Sequence, residues 1–186
     1  MQFKNIALAT CMALSASVAA SENATDIAPS IQTRLVQLDL GYQKTGLFLN
    51  ALVNNAGNLT SSGVVNSYLS IVSEESNDLA NKTQPAAATI PDTTQLILCQ
   101  SYHSMALSGI DLNAGFVNHA DLFNKTERAQ VRHGLMVVND ETNKFFSDVG
   151  QKSLTYCEDS LSLDNQAIRV SIRDAAMALD PSKASL

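Results

Sequence analysis

Residues 31–52 read IQTRLVQLDLGYQKTGLFLNAL. In them Ile31, Leu35, Leu38, Tyr42, Thr45, Leu49 and Leu52 recur at steps of 4, 3, 4, 3, 4 and 3. An α-helix completes a turn every 3.6 residues, so this spacing draws one stripe along a helix, with a single polar interruption. A half-buried strand would alternate with period two, and no stretch of the chain does so. Gly57, after Asn54-Asn55-Ala56, suits a left-handed helix end.

Four more segments repeat the pattern. A second helix starts at Ser61 or Ser62 and carries Val65, Tyr68, Val72 and Leu79 on one face, supported by Leu69 and Ile71. It ends before Pro85, in the Pro- and Ala-rich connection 84–91. Asp92 with Gln95 makes the pair of a capping box, opening a third helix to Asn118. Its stripe is Leu98, Tyr102, Met105, Leu112 and Phe116, and Gly109 on that stripe admits a close neighbour or a bend. Asn124 with Glu127 is a second such pair. It precedes a helix bearing Val131, Leu135, Val138, Thr142, Phe145 and Val149, which Gly150 is suited to end. The fifth carries Leu161, Ile168, Ile172, Ala175 and Leu179 and stops at Asp180-Pro181. The expected fold is all-α, an antiparallel bundle of about five amphipathic helices over residues 30–180, in which short connections set neighbours in opposite directions. A polar tail, 21–29, precedes it and a short tail, 181–186, follows.

Composition limits the function. Charged residues are 16% of the 186, below the roughly 25% usual in soluble chains, while hydrophobic residues at 45% suffice for a core. A formal charge of −6 argues against nucleic acid and anionic surfaces as partners. No apolar run reaches the ~18 residues of a transmembrane segment.

The first twenty residues predict a secretion signal. Lys4 gives a basic start, Ile6 to Ala16 an apolar stretch, and Val18-Ala19-Ala20 the small residues of a cleavage site. Processing there removes Cys11 and leaves Cys99 and Cys157, an even pair that suits one disulfide in an oxidising compartment. If the third and fourth helices form a hairpin about residue 123, Cys99 lies opposite about residue 147, so for Cys157 to reach it either the chain turns back after Gly150 or the hairpin corner lies later; the turn at Gly150 is the favoured reading. Asn-x-Ser/Thr sequons stand at Asn23, Asn58, Asn81 and Asn124, all in or beside expected connections, where a glycan is tolerated. The expected location is extracellular or in a cell wall.

Chemistry is sparse. The motifs G-x-S-x-G, G-x-x-x-x-G-K, G-x-G-x-x-G, H-E-x-x-H and Glu-x-x-His do not occur. His103 lies beside the apolar stripe, His119 and Asp121 in a polar corner, and His133 on an exposed helical position. The acidic pairs Glu74-Glu75, Asp140-Glu141 and Glu158-Asp159 point apart on a helix and read as solvated faces. No catalytic residue, metal or cofactor is expected. Met105, Phe116, Phe123, Met136, Phe145, Phe146 and Met177 are candidates for an internal apolar cavity, since bundle interiors hold apolar ligands.

Residues 115–146, GFVNHADLFNKTERAQVRHGLMVVNDETNKFF, resemble the second half of the fungal hydrophobic surface-binding and cell-wall galactomannoprotein family. The resemblance rests on a polar corner followed by Leu122-Phe123, then a heptad helix with Thr142-Asn143-Lys144-Phe145 near its end, and covers roughly 35–180. The chain departs from the family in its Cys99 and Cys157 and in lacking a long Ser/Thr-rich wall-attachment tail. The resemblance implies a non-enzymatic protein that adsorbs to hydrophobic surfaces, helps recruit extracellular hydrolases, or holds fatty acids, with Phe116, Leu135, Val138 and Phe145 among the matching apolar positions. With Met105, Leu112, Ile168 and Ile172 these make up the expected ligand-cavity set. Expected partners are a hydrophobic surface or long-chain lipid, with extracellular hydrolases or a cell-wall polymer beyond them. The alternative function is a secreted helical inhibitor or effector docking on an extracellular protein.

Overall fold

In the computed structural model of the chain, residues 27–82 and 90–183 are described. They form five long helices: α1 (Ile27–Val53), α2 (Ser61–Lys82), α3 (Asp92–Asn118), α4 (Lys125–Phe145) and α5 (Glu158–Ala178). No strand occurs among the described residues, and none of their helices is long and apolar enough to cross a membrane. The expected signal segment, residues 21–26 with Asn23, and most of the connection after α2 lie outside the described residues. Residues 27–29, expected in the polar tail, instead open α1. Pro29 sits in its first turn, where a missing N–H forfeits no helical bond.

Successive helices alternate in direction, as expected, but the most extensive packing is between parallel helices. α1 packs on α3, α3 on α5, and α2 on α4. Gly109 faces Tyr42, and Gly115 faces Leu49. Residue numbers rise together along both helices, so α1 and α3 are parallel. The same holds for α3 and α5, where Tyr102 meets Asn165 and Asn113 meets Ser171. It holds again for α2 and α4, where Ser61 meets Glu127 and Tyr68 meets Gly134. The bundle is therefore a layer of three parallel helices on a layer of two running the other way, joined at its edges by α1–α2 and α4–α5. The short corner 119–124 does not make a side-by-side hairpin of α3 and α4. It carries the chain across from one layer to the other.

Side-chain volume explains that crossing. Phe116 at the end of α3 and Phe123 in the corner are 0% and 2% exposed, and their rings meet edge-on at 5.7 Å. Phe116 also meets Tyr68 of α2 edge-on at 5.3 Å, and Tyr102 stacks on Phe145 at 5.6 Å. Buried aromatic rings carry large apolar area, and this cross-layer arrangement brings them together. Glycine fixes the closest approaches. A Cβ on Gly134 would lie 2.9 Å from both Tyr68 Cε1 and Val72 Cγ2, and one on Gly109 would lie 3.0 Å from Ile168 Cδ1.

The helix ends partly follow the sequence. Asn124 caps α4 as expected: its Oδ1 accepts from the Thr126 and Glu127 amides, and the Glu127 carboxylate accepts from the Asn124 amide. The left-handed residue ending α1 is Asn55 (φ 50), not Gly57, which lies two residues on at φ 80. The Asn55 and Ala56 amides donate back to Leu52 and Ala51, the paired bonds of a Schellman ending. Asp92 makes no cap. Pro91 holds the N-cap position, and Gln95 is buried with other partners. Gly150 does not end the fourth helix either. The backbone widens into a π turn over Phe146–Gly150 and adds a turn at Gln151–Ser153. Reversal comes at Leu154–Cys157, with Leu154 fully buried as its anchor. That later turn puts Cys157 beside Cys99, and the two form a disulfide with Cα atoms 6.5 Å apart.

Candidate functional site: a groove between α4 and α5

The eight residues expected to line a cavity are core. Met105, Leu112, Phe116, Leu135, Val138, Phe145, Ile168 and Ile172 are all between 0% and 3% exposed and belong to one contiguous apolar cluster. Their methyls and rings fill the space between the layers. Of the eight, Ile172 also lines a surface groove. The wider methionine and phenylalanine set divides. Met105, Phe116, Phe123 and Phe145 lie in the core, whereas Met136, Phe146 and Met177 converge on a groove at the α4–α5 edge.

That groove is open and measures about 720 Å³. Such a volume is within the range that takes a small organic ligand. The α4 side supplies Arg132, Met136, Asn139, Asn143 and Phe146, at steps of 4, 3, 4 and 3. This row runs one residue beyond the core stripe, about 100° round the helix. From α5 come Ser162, Gln166, Arg169, Val170, Arg173 and Met177. Buried Asn165, Ile172 and Ala176 form its floor. Met136, Val170 and Met177 are 48%, 41% and 52% exposed, so their apolar surface is offered to whatever enters. Phe146 opens the π turn, and Gly150 lies beneath it: a Cβ there would be 3.1 Å from Phe146 Cδ2. The glycine thus lets the ring lie along the backbone. Arg169 Nη1 donates to Asn143 Oδ1 across the groove at 3.2 Å, and Arg173 pairs with Asp174 at 3.5 Å.

The remaining polar residues mostly hold helices together. Asp39 of α1, 7% exposed, accepts from Ser104, Ser108 and Gln43. Thr45 bonds Ser67 between α1 and α2, and Arg128 Nε donates to the Phe123 carbonyl. His103 is exposed and sits 2.9 Å from Asp164 of α5. His119 ends α3, half-buried, and His133 is exposed on α4. Among the described residues no group of three or more His, Cys, Asp or Glu could hold a metal ion. Asn58 and Asn124 are exposed at the same end of the bundle, whereas Asn81 falls in the last turn of α2 rather than in a connection.

Two features do not stand out in the sequence pattern, the role of Gln95 and the groove row of α4. Gln95 donates to the Ile90 carbonyl at 2.8 Å and accepts from the Tyr156 amide at 3.0 Å, tying the start of α3 to the turn before α5. Nothing in its spacing separates that role from a cap. The groove row was legible as a second 4-3-4-3 series on α4, hidden because it mixes Arg and Asn with Met and Phe. No protein-family model matches the chain, and no curated protein matches it.

Proposed function

We propose that this protein acts outside the cell as a non-enzymatic binder of lipid chains or hydrophobic surfaces, with the α4–α5 groove as its site. One observation carries the reading: Met136, Phe146, Val170 and Met177 gather over an apolar floor in a groove of ligand size. Methionine suits such a wall, because its unbranched thioether re-packs around guests of different shape. The extracellular part is supported by the Lys4-to-Ala20 signal pattern and by the Cys99–Cys157 disulfide, which needs an oxidising compartment to persist. The resemblance of residues 115–146 to the hydrophobic surface-binding family is in keeping with it.

Magnitudes are consistent with a useful but modest affinity. Burying a twelve-carbon chain is favourable by up to about 9 kcal/mol at ~0.8 per methylene. Association costs at least about 4 kcal/mol. The remaining ~5 kcal/mol corresponds to sub-millimolar binding by the tail alone.

The test uses delipidated protein titrated with a fluorescent fatty acid, beside adsorption to a waxy or polystyrene surface. Saturable uptake that falls in the Met136→Ser/Met177→Ser variant is expected. Protein that takes up no fatty acid and leaves both surfaces bare would refute the proposal.

A further inference from the structure

We infer that two copies of the chain pair through the outer side of the three-helix layer, about a two-fold axis perpendicular to the helices. Each helix of that layer carries a second apolar row behind its core row. On α1, Leu40 and Leu47 stand two positions before buried Tyr42 and Leu49. On α3, Leu107 and Ala114 stand two positions after buried Met105 and Leu112. On α5, Leu163, Val170 and Met177 stand two positions after buried Leu161, Ile168 and Ala175. Two residues turn a helix through about 200°, so each row faces away from the core. The leucines, valine and methionine of these rows are between 41% and 67% exposed, and Ala114 is exposed with them. Among the described residues of α2 and α4, Met136 is the one exposed large hydrophobic, and Ser62, Asn66, Ser70 and Ser73 hold exposed positions on α2. The oily rows are therefore gathered on one layer.

A second copy fits this face because the rows are self-complementary. An isologous pair requires a surface that maps onto itself under the two-fold. Steps of seven keep each row in line, as at a coiled-coil seam. Leu40 and Leu47 are centred between Gln43 and Lys44, Leu107 and Ala114 between Ile110 and Asp111, and Leu163 and Met177 on Val170. Gly109 faces Tyr42 and Gly115 faces Leu49, so the first two midpoints lie at one level. Gly109 also faces Ile168, and Asn113 bonds Ser171, which puts Val170 about one residue, or ~1.5 Å, from that level. A single axis there lays Leu40 on Leu47 of the second copy, Leu107 on Ala114, Leu163 on Met177, and Val170 on its own counterpart. Between the paired positions on α1 and α3 the charged residues are Lys44 and Asp111, one of each sign, so like charges are not massed at the contact. Three helices about 9 Å apart and about 30 Å long present ~800 Å² per copy, the size of a standard specific interface. The face adjoins the groove, whose lining includes Val170 and Met177, but the pairing does not rest on what the groove binds.

Sedimentation equilibrium of the secreted protein, with its disulfide intact, tests the pairing. A reversible dimer with a micromolar dissociation constant is expected. The Leu40→Ser/Leu107→Ser variant changes no groove residue and should raise that constant at least about tenfold while the circular dichroism stays helical. Lys44→Cys, beside the axis, should give a cross-linked dimer on mild oxidation, whereas Asn66→Cys on α2 should not. Protein that stays monomeric at millimolar concentration, a dimer that the double variant leaves intact, or cross-linking through Asn66→Cys in place of Lys44→Cys would overturn the pairing. So would a monomer whose adsorption to polystyrene falls in the double variant, since the face would then serve a surface. Each of these results leaves the fatty-acid assay of the groove standing on its own.

Discussion

Replacing Gln95 is the sharpest test of how this bundle is held together. The side chain is 5% exposed and makes two bonds, to the Ile90 carbonyl at 2.8 Å and from the Tyr156 amide at 3.0 Å. Gln95→Ala removes both and opens a void. The Ile90 carbonyl is buried, so stranding it costs about 1–3 kcal/mol, and the part-buried Tyr156 amide adds about 0.5–1.5. A total loss of about 1.5–4.5 kcal/mol follows, or a drop in Tm of roughly 5–14 °C at about 3 °C per kcal/mol for a chain of this size. The disulfide at Cys157 keeps the neighbouring Tyr156 amide in place. In oxidised protein that amide therefore cannot easily drift into water. Gln95→Met, which keeps length and volume, should lose nearly as much, because the same two partners stay unpaired. Urea unfolding followed by circular dichroism reads both variants through the midpoint and slope. A loss below 1 kcal/mol in Gln95→Ala, or a neutral Gln95→Met, would refute the hydrogen-bond account.

Three further outcomes are expected. Thr142 is 3% exposed and its hydroxyl bonds no described residue, so Thr142→Val, nearly isosteric, should stabilise by about 1 kcal/mol in the same urea assay. Asn124→Ala should cost about 1–2 kcal/mol through the lost cap, while Asn58→Ala, at an exposed loop position, should stay within about 0.5; equal effects measured in unglycosylated protein would argue against the cap. Phe145→Ala empties the stack on Tyr102 and should cost about 3–5 kcal/mol by chemical denaturation.

The sequence carries the helices plainly, because each has one apolar stripe at a 3.6 period and that stripe is what folding buries. It also carries the Asn124–Glu127 box, a purely local device, and the close approach at Gly109. What it withholds is the choice of partners. A stripe says which face is buried, not against which helix, and loop length alone suggested α3–α4 hairpin packing. Phe116 and Phe123 decide otherwise, since their rings fill the gap between layers and draw the corner across. Gln95 departs from its spacing for the same reason: a capping-box spacing is local, while its partners are the Ile90 carbonyl and the Tyr156 amide, 61 positions on. The cavity candidates are apolar and buried, and here they belong to one contiguous core cluster.

The two edges of the bundle show why the groove is where it is. At the α1–α2 edge the helices come close. A Cβ on Gly41 would lie 2.9 Å from Ile71 Cγ1, and small Thr45 and Ser67 bond directly at 2.8 Å. At the α4–α5 edge no glycine lines the seam, and Arg132, Met136, Arg169 and Met177 stand along it. Long side chains cannot interdigitate as closely as a glycine admits a neighbour, so that edge stays open over buried Ile172 and Ala176. For stability alone, a small residue at the Met136 or Arg169 position would close the seam and bury more apolar surface. Exposed methionine along an open seam gives folding little. Apolar surface left there is open to a guest, and the Met136→Ser/Met177→Ser variant separates that property from the fold.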